Sequence, residues 1–293
     1  MSRGIRDGPY APTVRGVCCA IVVALVIGAT GLPAGSTDMT ATTTTTVVRL
    51  ALPGGPRSYR LHHPSDRGGP EPLVVVLHGA GATAREVERR YHWDALAARE
   101  GFVVAYPQGT GRRWDDAGTR DVEFLRGVID DASERVEVDP DRVFVTGISN
   151  GGVMTYRAGC GLAGTVAAIG PVAAWFPDCL PATPVSVVHV HGLEDAVLSF
   201  DGGGGSPSVP DGLAQWRAAD GCTGPATTTQ SGQVTHSVWA PCSRAIAVEL
   251  FTIEHGRHEW PGAVPKPGND PVSHALDATA AIWAFFRAHP RPS

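Results

Sequence analysis

The chain has 293 residues, of which 43% are apolar and 18% charged. That is enough hydrophobic material for one sizeable globular domain, and disorder is not the default reading. Its formal net charge of -5 provides no broad basic field, so neither nucleic acid nor an anionic lipid surface is an expected partner.

The first 36 residues read as an export signal. Arg3, Arg6 and Arg15 precede an apolar run from Val17 to Leu32, and the small residues Pro33, Ala34, Gly35 and Ser36 follow it. The run is short and broken by Gly28, Thr30 and Gly31, which argues for cleavage, secretion and no stable membrane insertion afterwards. Cys18 and Cys19 stand at the start of the apolar run, whereas a bacterial lipid-attachment cysteine stands at its end. Residues 37–46, with Thr37, Thr40 and Thr42 to Thr46, are expected to form an exposed lead-in. The folded domain is expected over 47–293.

From Val47 onward apolar runs alternate with helical patterns, the signature of an α/β domain with a mostly parallel central sheet and helices on both faces. Strands are predicted at 47–52, 58–63, 73–78, 102–106, 142–147, 167–173, 185–191 and 247–253. The continuous runs Val74 to Leu77 and Val185 to Val190 suit strands buried on both sides. Helices are predicted at 87–99, 122–137, 152–159, 212–219 and 277–288. The last has Ile282, Trp283, Phe285 and Phe286 on one side and Asp277 as N-cap. The run Gly202 to Gly205 reads as a surface loop, because it lacks the Gly-Lys-Ser/Thr ending of a phosphate cradle.

Without the signal, four cysteines remain: Cys160, Cys179, Cys222 and Cys242. An even number in an exported chain points to two disulfides. Three pairings exist, and sequence proximity favours Cys160 with Cys179 and Cys222 with Cys242, each closing a loop of about twenty residues.

Gly147-Ile148-Ser149-Asn150-Gly151 matches G-x-S-x-G, in which a strand turns sharply into a helix and holds the serine clear of the backbone. With 36 glycines the bare pattern is cheap, and its setting is what gives it weight. Val143 to Thr146 is strand-like and Gly152 to Tyr156 helix-like. A serine hydroxyl needs a base to become nucleophilic, and the base needs a carboxylate to fix its tautomer. Asp195 follows the strand ending at His191 and is the expected acid, with Glu194 and Asp201 as rivals. The base is expected after the last strong strand, where His255 and His258 compete. His274 precedes the final helix and His289 follows it, so neither has the position of a base.

An oxyanion needs two converging backbone N–H groups. His78-Gly79-Ala80-Gly81 follows a central strand, so the amides of Ala80 and Asn150 are the expected pair. His78 reads as a structural hydrogen-bonder. His189 and His191 share one strand face and could hold a metal, but no third ligand is evident. No metal and no organic cofactor are expected.

Together these pieces resemble the secreted polyhydroxybutyrate depolymerase and feruloyl esterase family of the α/β-hydrolase fold, related to carbohydrate esterase family one. The resembling segments are 77–81, 106–109 with Trp114, 121–125, 147–152, 191–195 and 256–262. The resemblance implies that His258, in the segment resembling G-x-H-x-W-P-G, is the base. It supports Asp195 over its rivals and implies the same two disulfides. Extracellular depolymerases of solid polyester carry a linker and a polymer-binding domain, and this chain ends at Ser293. Its expected substrates are therefore short hydroxybutyrate-type polyesters, short acyl esters or feruloyl esters of polysaccharide. Trp114 and Trp260 are candidates for lining the mouth of the site, with core packing as the other reading. Two other functions share these residues: a cell-envelope acyltransferase using the same triad, and a catalytically silent polysaccharide- or polyester-binding protein.

Overall fold

The computed structural model describes residues 44–64, 68–176, 178–266 and 271–292. The export signal with Cys18 and Cys19, and residues 37–43, lie outside them. Ten strands make one sheet: β1 (Thr44–Leu50), β2 (Arg57–His63), β3 (Glu71–Leu77), β4 (Val103–Pro107), β5 (Val138–Ile148), β6 (Ala168–Val172), β7 (Ser186–Gly192), β8 (Thr227–Ser231), β9 (Val234–Trp239) and β10 (Val248–Ile253). Their order is β1-β2-β4-β3-β5-β6-β7-β10-β9-β8. From β4 to β10 neighbours run parallel, and both flanks are antiparallel.

Among the described residues, six α-helices cover the sheet: α1 (Ala84–Arg90), α2 (Trp93–Glu100), α3 (Arg120–Arg135), α4 (Asn150–Gly161), α5 (Val209–Ala219) and α6 (Ala278–Ala288). Side-chain alternation along the central strands divides the core in two. Leu73, Val75 and Leu77 share one cluster with Phe124, Met154 and Trp216 of α3, α4 and α5. Val74 and Val76 share the other with Val87, Trp93 and Ile282 of α1, α2 and α6. Both faces of β3 are fully buried, which is why its sequence is a continuous apolar run. Asp277 caps α6 by accepting the Ala280 amide at 3.0 Å.

Four local features differ from the sequence reading. The first strand starts at Thr44, inside the expected lead-in, where the β-branched threonines pair with His63, His62 and Leu61 of β2. The single helix expected at 87–99 is two, broken at His92 in the left-handed region (φ 60°). Tyr91 and Trp93 on either side of the break are both buried. β5 begins at Val138, earlier than expected, because Val138 already pairs with Glu71. Finally, β8 and β9 form an edge hairpin turning at Gly232 (φ 56°), with β8 exposed along its length.

Cys160–Cys179 and Cys222–Cys242 are disulfide-bonded. Among the described residues, no helix is long and apolar enough to cross a membrane.

Asp220, directly after α5, is fully buried and accepts the Val185 amide at 3.1 Å through Oδ1. Burial pushes its carboxyl from 3.8 up to about 7, against the opposing pull of the Val185 amide and Trp216. Because the folded value lies above the unfolded one, the folded chain holds a proton that the unfolded chain has released between about pH 4 and pH 7. Stability therefore falls as pH rises through that window, by about 4 kcal/mol in all. Asp220→Asn is expected to raise Tm at pH 8 and leave it nearly unchanged at pH 4. Thermal melts of both proteins at the two pH values check this, and an equal shift at both would refute it.

Candidate active site

Six parallel strands bring the loops at their C-terminal ends to one edge of the sheet, where strand twist leaves a crevice. β5 passes directly into α4, with Ser149 between them at φ 59° and ψ −128°. That is backbone territory costing a non-glycine residue about 1–3 kcal/mol. The Ser149 amide donates to the Val172 carbonyl at 3.0 Å, which ties the turn to β6. The flanking glycines follow from sterics. A Cβ at Gly151 would lie 2.5 Å from the His78 carbonyl oxygen, and one at Gly147 would lie 2.7 Å from the Leu77 Cβ.

The loops after β7 and β10 cross at Gly192 and Gly256, where a Cβ on Gly192 would sit 2.2 Å from the Gly256 backbone. The Glu194 amide donates to the Gly256 carbonyl at 2.9 Å. This crossing sorts the competing acids and bases into two pairs. His258 Nδ1 donates to Asp195 Oδ2 at 2.8 Å, with Asp195 buried. His255 pairs with Glu194 at 2.8 Å on the exposed side. Asp201 is exposed in the following loop, its amide bonded to Ser199 Oγ. His274 is exposed, and His289 donates to the Phe285 carbonyl.

Asp195 is held from two sides. Oδ1 accepts the amides of Val197 and Leu198, each at 2.8 Å, and Oδ2 faces His258. Burial alone would raise its pKa, but the hydrogen bonds from His258, Leu198 and Val197 outweigh it and hold the carboxyl below its ordinary value. Asp195 is thus an anion at neutral pH. Among the described residues, the Ser149 hydroxyl makes no hydrogen bond to His258. Ile148 and His258 border one cleft together with Tyr91, Glu194, Val197 and Trp260.

The segment after β3 packs on the serine turn, the Cβ direction of Gly79 pointing 3.5 Å from the Ser149 Cβ. The Gly81 and Ala82 amides are taken up by the Arg112 and Gly79 carbonyls, and Ala80, just before them, is exposed. Asn150 opens α4, so its amide has no intrahelical partner. Its side chain, which the sequence reading did not weigh, accepts the Trp114 amide at 2.8 Å. It donates to the Trp114 carbonyl at 3.2 Å and to Asp116 at 2.9 Å.

His78 is buried, its Nδ1 donating to the Gly79 carbonyl and its Nε2 accepting the Gly109 amide, both at 2.9 Å. Burial lowers its pKa, so it braces loops as a neutral ring. Trp114 is 3% exposed and donates through its indole to the His78 carbonyl at 2.7 Å. Its place is therefore behind the serine turn, not at the mouth. Asp121 supports the same loop, accepting from Arg57 and from the Asp115 amide, both at 2.7 Å. Trp260 is 2% exposed, stacks on Tyr91 at 4.4 Å and bonds Thr279. It borders the cleft as part of the packed floor. The nitrogens of His189 and His191 are engaged with each other, Tyr156 and Leu198.

No family model matches the chain. It is 30% identical over 217 residues to a bifunctional acetylxylan esterase/xylanase of Neocallimastix patriciarum, covering 70% of this chain and 31% of that protein. The chain therefore spans about a third of that relative's length. It is 27% identical over 249 residues to feruloyl esterase C of Emericella nidulans, covering 79% of this chain and 84% of the relative. Among solved structures, the acetyl xylan esterase of Aspergillus awamori superposes with a TM-score of 0.64 at 15% identity, over 83% of this chain and 99% of that one. That likeness bears on the fold, which is the α/β-hydrolase fold. Fold and relatives agree: the chain has the α/β-hydrolase fold and is similar in sequence to acetylxylan and feruloyl esterases.

Proposed function

We propose that the chain is a secreted esterase in which Ser149 attacks an ester carbonyl and His258 takes its proton, while Asp195 stabilises the imidazolium. The amides of Ala80 and Asn150 receive the oxyanion, and water then releases the acid. The hydrogen bond between His258 Nδ1 and the buried Asp195 carboxylate carries this reading. It leaves Nε2 as the free basic nitrogen of a ring beside the same cleft as the serine turn. The mechanism requires the Ser149 hydroxyl to come within hydrogen-bond reach of that nitrogen when substrate enters. Two disulfides agree with an extracellular site of action.

The substrates we propose are short acyl or feruloyl esters of polysaccharide, in keeping with the names of the relatives. Short hydroxybutyrate-type esters are the other acyl class to compare. A fluorophosphonate probe is expected to label the protein once, at Ser149. The decisive panel sets methyl ferulate, acetylated xylan and p-nitrophenyl acetate against p-nitrophenyl butyrate and hydroxybutyrate oligomers. Labelling at another residue, or none, rejects the mechanism. Turnover confined to hydroxybutyrate oligomers rejects the polysaccharide assignment alone.

A further inference from the structure

A buried row of polar side chains runs from α4 to the Asp195 loop, and nothing in the mechanism above uses it. The Tyr156 hydroxyl lies 2.7 Å from His189 Nδ1, His189 Nε2 lies 2.9 Å from His191 Nδ1, and His191 Nε2 lies 2.8 Å from the Leu198 carbonyl. All three side chains are essentially inaccessible to solvent. The two imidazoles stack at 5.2 Å and 8° on one face of β7. Phe176 and Trp216 pack on Tyr156, Phe176 also on His189, and Phe200 on His191.

The direction of the row follows from chemistry. A carbonyl only accepts, so His191 donates from Nε2, and as a neutral ring its Nδ1 must accept. His189 then donates from Nε2 and accepts at Nδ1, which leaves Tyr156 as the terminal donor. Burial keeps both rings neutral, lowering both pKa values, His189 well below the ordinary histidine value. A desolvated phenol, with its pKa raised well above 10 by burial, keeps its proton.

We propose that Tyr156, His189 and His191 act as positioning residues, a one-way hydrogen-bond chain that holds His191 in its Nε2–H tautomer and so fixes the turn that aims Asp195 at His258. Leu198, whose carbonyl receives the chain, is also one of the two residues whose amides grip Asp195 Oδ1. The same His191 N–H stands 3.5 Å from Asp195 Oδ2, the oxygen that faces His258. In the opposite tautomer a bare nitrogen would face both that carboxylate and the Leu198 carbonyl, and the turn would open. Tyr156 on α4 and the two histidines of β7 thereby support the acid in the loop that follows β7. This inference rests on the assignment of Asp195 in the proposed function.

The test combines four variants with the nitrogen spectrum of the histidine side chains. In the unaltered protein, ¹⁵N shifts are expected to show His189 and His191 both protonated at Nε2 and bare at Nδ1. His191→Phe is expected to lower kcat, per site titrated with fluorophosphonate, by roughly tenfold or more with KM within about twofold. His191→Gln, which keeps an N–H donor, should recover most of that loss. Tyr156→Phe should give a smaller loss together with a shifted His191 resonance. A His191 protonated at Nδ1 in the unaltered protein overturns the proposal, as does wild-type kcat per site in His191→Phe. If His191→Phe does not fold, the spectrum of the unaltered protein still decides. Asp195→Asn separates the two levels of inference: full turnover there removes Asp195 as the triad acid. Loss there with unchanged His191→Phe removes only the positioning chain.

Discussion

Replacing Ser149 with alanine is expected to lower kcat on a p-nitrophenyl short-chain ester by a factor of about a thousand or more. The change removes one oxygen from a half-buried residue, leaving the strained backbone and its hydrogen bond to Val172 in place. Tm should therefore stay within a few degrees. What disappears is the acyl-enzyme route. The residual rate would come from water held near the oxyanion amides, which accounts for much smaller acceleration than the intact constellation. Steady-state kinetics and a thermal melt on one preparation check both halves. Near-normal turnover would place the nucleophile elsewhere.

Asp195→Asn should be nearly as damaging, by a factor on the order of a thousand to ten thousand in kcat. The structure says why so small a change matters here. Oδ1 of Asp195 accepts two backbone amides, so the amide oxygen of an asparagine must take that position. Its NH₂ group is then forced toward His258 Nδ1, where the carboxylate now accepts at 2.8 Å. His258 must accept at Nδ1 and protonate at Nε2, which removes the lone pair meant for the serine proton. The variant should fold, and its His258 nitrogen spectrum should show the reversed tautomer. An unreversed ring combined with full activity would dismiss Asp195 from the triad.

Much of this site was legible along the chain because its parts are constrained locally. Gly147 and Gly151 are demanded by backbone oxygens and a neighbouring Cβ within 3 Å, and the turn needs a strand before it and a helix after it. A short motif in a recognisable context records all of that. The competition between His255 and His258 was different. Residue type and spacing left it open, resemblance favoured His258, and the crossing at Gly192 and Gly256 pairs His258 with Asp195 and His255 with Glu194. Trp114 and Trp260 were open in the same way, since an indole's sequence neighbours do not say which side of a loop it packs against.

The edge hairpin of β8 and β9 left little trace because its signal is weak in kind. β8 is exposed throughout and β9 half-buried, so neither has the apolar run that marked β3 and β7. Only β-branched residues and Gly232 hint at it. The break at His92 was hidden for the opposite reason. Apolar residues continue across it at helical spacing, and only the burial of both Tyr91 and Trp93 turns the chain there.

Local pattern in the amino-acid order was enough to establish the alternation of strands and helices, the serine turn and the cysteine pairs, because each depends on neighbours within about twenty residues. Partner choice among distant side chains was settled only in three dimensions. Which acid meets which histidine, and which tryptophan is walled in, depend on strand order and loop crossings. Those bring together groups more than thirty positions apart, and no periodicity in the chain encodes such distances.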